Sequence, residues 1–286
     1  MKKNKIIVLI ISLIVFILII IFIFCLKQNK NNITNDKIQF ISTEISLSGY
    51  VNEEITLPTI FVYNQNLDPK SLIEDVSLIN SENMEISKWE IKDGKKYKDI
   101  KLNNISLELK ITKEGVSDIK GLKILYHNGT VVEFKFDKFL LNSYLKKSSN
   151  FIVNSKESYI ASYNKLNFDL KNISNNKFKL NELNLNSSDI ILESSQYSIN
   201  KNYIKNLNNI EVDPNDIIDF KLEIDMDRLP VDLLFIRPYI SYSLDNISYY
   251  EPITFGCIIG LPISDDKMDK IYNNYKIYLN YPLKGI

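Results

Sequence analysis

The stretch that decides the fold class is Ile119–Phe136, which reads IKGLKILYHNGTVVEFKF. Two runs rich in apolar and β-branched residues, Ile119–Tyr126 and Thr130–Phe136, flank the dipeptide Asn128-Gly129. Asn-Gly tolerates positive φ at both central positions of a type I′ turn, whose twist matches that of two antiparallel strands. The stretch therefore predicts a β-hairpin.

Alternating apolar and polar residues extend the β pattern in both directions along the chain. In Ser106–Thr112, the side chains of Leu107, Leu109 and Ile111 share one face, and Phe220–Ile224 repeats this alternation. Shorter runs of strand-forming residues are Ile38–Leu47, Ile60–Tyr63, Asn167–Asn172 and Phe178–Leu185. The sequence therefore predicts a mainly β protein.

A second hairpin is predicted from Leu233–Ser243 and Ile247–Phe255, joined across Leu244-Asp245-Asn246. Pro238 lies inside its first strand and cannot donate a hydrogen bond to a neighbouring strand. We therefore expect this strand to lie at a sheet edge or to be interrupted by a bulge.

A polar segment without periodicity, residues 142–150, divides the strand-rich part of the chain. It predicts one domain at 38–141 and another at 151–286, each large enough to enclose a core and fold alone. No intramolecular disulfide links them, because Cys257 is the only cysteine in this part of the chain.

The two halves have a similar order of segments. In each half, an alternating strand (Leu107–Ile111, Phe220–Ile224) precedes an apolar strand that ends in tyrosine (Tyr126, Tyr242). This order suggests duplication of one module. The alternative is chance similarity between two sandwiches in a chain of biased composition.

The segments Asn167–Phe178, Val212–Asp216 and Phe220–Ile224 resemble bacterial immunoglobulin-like modules. In those modules an early strand ends at an Asn-rich turn, and a proline turn precedes a central strand. The resemblance is weaker in the first half. It implies two immunoglobulin-like antiparallel β-sandwich domains outside the cytoplasm, and it implies no chemistry.

The N-terminal segment Ile6–Leu26 is apolar, with Ser12 and Cys25 as mild interruptions. As a helix it would be about 31 Å long, which matches a hydrocarbon core of about 30 Å. A cleaved secretory signal has a shorter apolar region that ends in small residues, and a lipoprotein signal would not place Phe24 before its cysteine. Residues 1–28 are therefore predicted to be a cytoplasmic stub and an uncleaved membrane anchor.

Lysines set the predicted orientation of this anchor. Lys2, Lys3 and Lys5 precede the span, whereas Lys27 and Lys30 follow it, so the N-terminus is expected in the cytoplasm. The polar residues 29–37 are predicted to be a juxtamembrane linker. The expected location is the cell membrane, with a single span and an extracytoplasmic C-terminal part.

Charge excludes one class of partner. The chain contains 35 basic and 35 acidic residues, so no net field attracts it to nucleic acid. We expect no nucleic-acid partner.

The sequence contains no catalytic or metal-binding signature. His127 is the only histidine and lies in a predicted turn, so it predicts neither a catalytic triad nor a zinc site. Carboxylates cluster at Asp213, Asp216 and Asp219 and again at Asp225 and Asp227. The last two could bind calcium, but aspartate is also a common turn residue, because its side chain bonds its own backbone. We therefore predict no catalytic residue, no metal and no cofactor.

The predicted binding surface is aromatic. The hairpin that contains Pro238 carries Arg237, Tyr239, Tyr242, Tyr249 and Tyr250, and tyrosine and arginine are enriched at binding hot spots. The alternative is that these aromatic residues fill a core, because aromatic side chains also pack well on strands.

The C-terminal segment departs from the β pattern. Ser264 can cap a helix that begins with Asp265 and Asp266, and apolar residues follow at helical spacing: Met268, Ile271, Tyr272 and Tyr275. We expect this short helix to cover the second sandwich.

The function predicted from these features is non-catalytic. The membrane-anchored sandwiches would bind another envelope protein or a surface component. The alternatives are an accessory subunit of a membrane transporter or secretion complex and, less favoured, a carboxylate-based enzyme.

Overall fold

The computed structural model describes residues 38–145, 150–153, 159–162, 164–187, 189–229, 231–254, 256–260 and 265–280. The predicted membrane span Ile6–Leu26, the predicted linker 29–37 and the predicted helix cap Ser264 lie outside these residues. Among the described residues, no helix has the length and apolar character that crossing a membrane requires.

The prediction of a mainly β protein is confirmed. The first half contains β1 (Ile38–Phe40), β2 (Thr43–Tyr50), β3 (Glu54–Asn64), α1 (Pro69–Leu72), β4 (Ile73–Ile79), β5 (Met84–Lys92), β6 (Lys96–Tyr97), β7 (Ile100–Ile111), β8 (Gly115–Asp118), β9 (Gly121–Tyr126), β10 (Val131–Lys135) and β11 (Lys138–Tyr144). The second half contains β12 (Phe151–Val153), β13 (Tyr159–Ser162), β14 (Lys165–Asn172), β15 (Phe178–Asn184), β16 (Leu192–Ile199), β17 (Asn202–Ile204), β18 (Ile210–Val212), β19 (Ile217–Ile224), β20 (Leu233–Arg237), β21 (Tyr239–Leu244), β22 (Ile247–Pro252), β23 (Gly256–Ile259) and α2 (Asp265–Asn280).

The predicted alternation places the core. On β7, Leu107, Leu109 and Ile111 are fully buried, whereas the intervening charged side chains are partly exposed. On β19, Phe220 and Leu222 are buried in the same manner. Each half thus builds its own apolar cluster from one face of its strands.

The two halves have the same strand order. The first half pairs its strands as β1-β3-β7-β5, as β10-β9-β4 and as β2-β11-β8; the second half pairs the corresponding strands as β12-β14-β19-β16, as β22-β21-β15 and as β13-β23-β20. This division matches immunoglobulin-type sandwiches, in which strands A, B, E and D form one sheet and strands C, F and G form the other. Each half is therefore an immunoglobulin-like module.

The two modules share one sheet, which the sequence did not predict. Strand β2 of the first module pairs in parallel with β20 of the second, with Thr43 opposite Leu233 and Leu47 opposite Arg237. The result is a six-stranded sheet with the order β13-β23-β20-β2-β11-β8. The expectation that the sandwiches are antiparallel is wrong for three strand pairs, since β2–β11, β13–β23 and β2–β20 are parallel.

Strand β20 has apolar side chains on both faces because a core lies on each side of it. Leu233 and Phe235 pack in the first module's cluster, whereas Leu234 and Ile236 pack in the second module's cluster. A continuous apolar run is the pattern expected of a strand buried on both faces. The joint between the modules is therefore part of both cores.

Helix α2 covers the first module, and the expectation that it covers the second is wrong. Met268 and Tyr275 are fully buried in the first module's apolar cluster. The Tyr97 hydroxyl donates a hydrogen bond of 2.8 Å to Asp269, and Lys276 forms an ion pair with Asp99 at 2.6 Å. The end of the chain thus returns to the module that the chain builds first.

The predicted hairpins are present, but the turn types differ from the prediction at Asn128-Gly129. Gly129 has a φ of +78°, Asn128 does not have a positive φ, and the Gly129 N–H donates to the Tyr126 carbonyl at 2.8 Å. This geometry is a type I turn followed by a glycine in the left-handed region. The type I′ turn occurs instead at Asp245-Asn246, where both residues have positive φ.

Pro238 interrupts its strand, as expected. The chain leaves the shared sheet after Arg237, at the end of β20, and enters another sheet at Tyr239 as β21. Strand β11 of the first half continues to Tyr144 and so extends into the predicted linker 142–150.

Candidate functional site

Arg237, the predicted cationic member of the binding surface, lies at the joint between the modules. Its side chain is buried and forms an ion pair with Glu53, while its Nε–H donates to the Ile253 carbonyl at 3.1 Å. The other carboxylate oxygen of Glu53 accepts the backbone N–H of Tyr50 at 2.9 Å. Arg237 thus ties the second module to the β2–β3 turn of the first and is not exposed to a partner.

Tyr242 belongs to the second core. Its ring stacks on Tyr249 with centroids 5.4 Å apart and planes 14° apart. Its hydroxyl donates to Glu251 at 3.2 Å and accepts a hydrogen bond from the Asn150 side-chain amide at 2.6 Å. Burial, the largest cause, raises the pKa of Tyr242. The core interpretation is therefore the correct one for this tyrosine.

A buried carboxylate lies beside Tyr242. Glu251 accepts backbone N–H groups of Asn150 and Phe151, each at 3.1 Å, in addition to the Tyr242 hydroxyl. These bonds compensate for the cost of removing a carboxylate from water. They also fasten the start of the second module to β22.

Tyr239 and Tyr250 form an aromatic group with a residue of the other module. The ring of Tyr144, at the end of β11, lies 5.7 Å from Tyr239 and 6.0 Å from Tyr250. The planes of Tyr144 and Tyr250 are 12° apart, and Tyr250 is 52% exposed. Burial is the largest cause of the raised pKa values of Tyr144 and Tyr239. Two of the predicted tyrosines thus reach a surface that both modules build.

This surface includes a concave site of about 110 Å³, which we name the tyrosine cleft. The first module contributes Tyr50, Glu114, Tyr144 and Leu145, and the second module contributes Tyr242, Ser248, Tyr249 and Tyr250. Leu145 is 54% exposed. The cleft therefore depends on the joint between the modules.

The residues of the cleft that sequence reasoning missed come from the first module. Tyr50 and Tyr144 lie opposite each other in the parallel β2–β11 pair, although they are far apart in the chain. Each ends its strand after a small residue, Gly49 or Ser143. This shared ending is the one signal in the sequence that could have connected them.

Larger concave sites are less suited to binding. A site of about 180 Å³ on the second module is lined mainly by polar and charged side chains, among them Lys165, Gln196 and Glu223, and by no aromatic residue that the structure describes. Two others are larger still. One of about 280 Å³ contains Arg237 and Glu53, whose charges are already paired with each other. Another of about 480 Å³ lies beside α2, and its acidic residues Asp137 and Asp232 already accept hydrogen bonds from Ser42 and Lys270. Neither cavity groups aromatic rings as the tyrosine cleft does.

Asp225 and His127, which were considered for metal binding and for catalysis, lie in turns. The Asp225 carboxylate accepts the backbone N–H groups of Asp227 at 3.2 Å and Arg228 at 3.3 Å, and it forms an ion pair with the Arg228 side chain. His127 is a largely exposed turn residue, 3.8 Å from Glu74. Within the described residues, no group of three or more histidine, cysteine, aspartate or glutamate side chains is arranged to hold a metal ion.

No protein-family model matches the chain, and no curated protein sequence matches it. Similar solved structures include a protein of unknown function from Porphyromonas gingivalis W83, with 10% identity, a TM-score of 0.25 and a match covering 77% of this chain and 99% of that one. The fibronectin(III)-like modules of Clostridium thermocellum CbhA have 8% identity and a TM-score of 0.24, over 78% and 93% of the two chains. Tandem Ig repeats of Dlar have 5% identity and a TM-score of 0.21, over 78% and 98%.

The names of the last two structures agree with the immunoglobulin-like resemblance found in the sequence. The strand order of the two modules is the basis for the fold assignment.

Proposed function

We propose that this chain is a non-catalytic, membrane-anchored binding protein whose tyrosine cleft contacts another envelope protein or a surface component. The observation that carries the proposal is the aromatic group Tyr144, Tyr239 and Tyr250, which both modules assemble at an accessible surface. Tyrosine supplies a large contact area at a low entropic cost, and this explains its enrichment in binding surfaces.

The rigid joint between the modules supports a binding role. A cleft between two loosely linked domains would lose binding free energy to the ordering of those domains, whereas a preformed cleft avoids that cost. Here the cleft lies beside the parallel β2–β20 pair and the Arg237–Glu53 ion pair, which fix the two modules relative to each other.

The proposed anchor is the apolar segment Ile6–Leu26, with the N-terminus in the cytoplasm. This arrangement would place the modules outside the cytoplasm and within reach of envelope material. Protease added to intact cells should then digest the chain beyond the span, and a soluble form that begins near residue 30 would contradict the anchor.

The binding proposal is tested by retention of the full-length protein on cell-envelope preparations. The substitution Tyr250→Ala removes an exposed ring of the cleft and should reduce retention about tenfold, as expected for an aromatic hot spot. The matched control is Tyr203→Ala, because Tyr203 is 71% exposed on β17, outside the cleft. Equal retention of both variants and the unaltered protein would contradict the proposal.

A further inference from the structure

We propose that the tyrosine cleft binds a pyranose ring of a neutral polysaccharide, an inference that rests on the proposed function and names its ligand class. The cleft combines aromatic faces with hydroxyl groups and one rim carboxylate, Glu114. Such a combination suits a ligand that has both C–H faces and closely spaced hydroxyl groups.

The aromatic part of the cleft leaves part of the Tyr250 ring open to solvent, while Tyr144 stacks against that ring. Tyr144 and Tyr250 have nearly parallel planes, and Tyr250 is half exposed to solvent. The face of an aromatic ring carries negative partial charge. The C–H bonds on one face of a pyranose are polarised by the attached oxygens, so their positive hydrogens pack favourably on such a ring face.

The polar part of the cleft suits vicinal hydroxyl groups. Glu114 and Ser248 are exposed lining residues; the Glu114 carboxylate accepts hydrogen bonds, and the Ser248 hydroxyl both donates and accepts them. A sugar hydroxyl can donate to the first while a neighbouring hydroxyl accepts from the second. These two groups would therefore orient a ring that is stacked on tyrosine.

The charge of the described lining defines the ligand class that competes with a sugar. Among the residues that the structure describes, the charged side chain that lines the cleft is Glu114, and the other polar groups of the lining are hydroxyl groups. Aromatic faces beside a carboxylate can also hold an ammonium group, which makes a cation the competing ligand class.

The size of the cleft points to a single ring. A volume of about 110 Å³ holds on the order of four water molecules. A protein partner would need about 800 Å² of surface on each side, of which this cleft could form only a small part. Displacement of a few waters by one sugar ring matches the dimensions better.

The test uses the full-length protein in lipid nanodiscs, because sugar-based detergents would compete for the cleft. Neutral oligosaccharides of glucose, galactose, mannose and N-acetylglucosamine are titrated by calorimetry, with choline chloride as the cationic probe. We expect saturable binding of at least one oligosaccharide and none of choline. Tyr250→Ala should weaken that binding about tenfold, whereas Tyr250→Phe, which keeps the ring face, should change it less than about twofold.

Glu114→Gln separates a sugar from a cation. The amide still forms hydrogen bonds with hydroxyl groups, so sugar binding should fall only a few-fold, whereas binding of a cation would be abolished. Binding of choline, or of no oligosaccharide, would overturn the pyranose assignment. If retention on envelope preparations still requires Tyr250 in that case, the proposed function stands without this ligand class; if retention is also independent of Tyr250, both are wrong.

Discussion

Phe235→Ala tests whether the two modules share a core. Phe235 belongs to β20 of the second module, yet it is 2% exposed within the first module's apolar cluster. Truncation of a buried phenylalanine to alanine costs about 3–5 kcal/mol, because transfer free energy is lost and a cavity remains. The shared sheet predicts that this cost falls largely on the first module.

Hydrogen exchange measured by mass spectrometry on the full-length protein locates the effect. If Phe235→Ala destabilises the first module by about 3 kcal/mol, amide exchange through opening of that module should accelerate on the order of 100-fold in β3 and β7. The matched control is Phe220→Ala, because Phe220 is 1% exposed in the second module's cluster and should accelerate exchange in β14 and β19 instead. Unchanged exchange in β3 and β7 of the Phe235→Ala protein would refute the shared core.

Three further perturbations have definite expected outcomes. Gly129→Val should destabilise the protein by about 1–3 kcal/mol in chemical denaturation, because Gly129 has a φ of +78°, which a β-branched residue resists. His127→Ala should cost less than about 0.5 kcal/mol, and equal effects of the two variants would contradict the turn assignment. Asp169→Asn should stabilise the protein by about 0.2–1 kcal/mol at pH 7 but not below pH 3.8. Burial and the facing Asp219 raise the pKa of Asp169, so ionisation of this carboxyl lowers the free energy of unfolding as pH rises. A stabilisation that persists at low pH would refute this. In a Cys25→Ser protein, Cys257 should resist iodoacetamide until unfolding, because burial raises its pKa to about 12, and rapid labelling of the native protein would be inconsistent with that burial.

Local patterns in the sequence predict the strands but not how the modules join. The period-two alternation of Leu107–Ile111 and Phe220–Ile224 directly reports which side chains are buried. The parallel pairing of β2 with β20 involves strands nearly two hundred positions apart, and no local pattern specifies a partner at that distance. The unbroken apolar run Leu233–Ile236 indirectly indicates that this strand lies between two cores, since each of its faces packs in a different one.

The same limit applies to helix α2 and to the cleft. The spacing of Met268, Ile271 and Tyr275 predicts an apolar helix face, but not which of two similar modules that face covers. The crowded tyrosines of one hairpin pointed to the correct region, although Tyr242 and Arg237 are buried there and only Tyr239, Tyr249 and Tyr250 are accessible. Tyrosines 50 and 144 join them only through tertiary structure.

The most direct test of the central claim is a nuclear Overhauser measurement on the full-length protein with isotopically labelled tyrosine rings. Single Tyr144→Phe and Tyr250→Phe variants assign the two ring signals. Because their centroids lie 6.0 Å apart across the modules, the rings should show a mutual Overhauser effect, and both signals should shift when envelope material that the protein retains is added. Absence of the Overhauser effect, or ring signals whose chemical shifts do not change when envelope material binds, would contradict a binding cleft built by both modules.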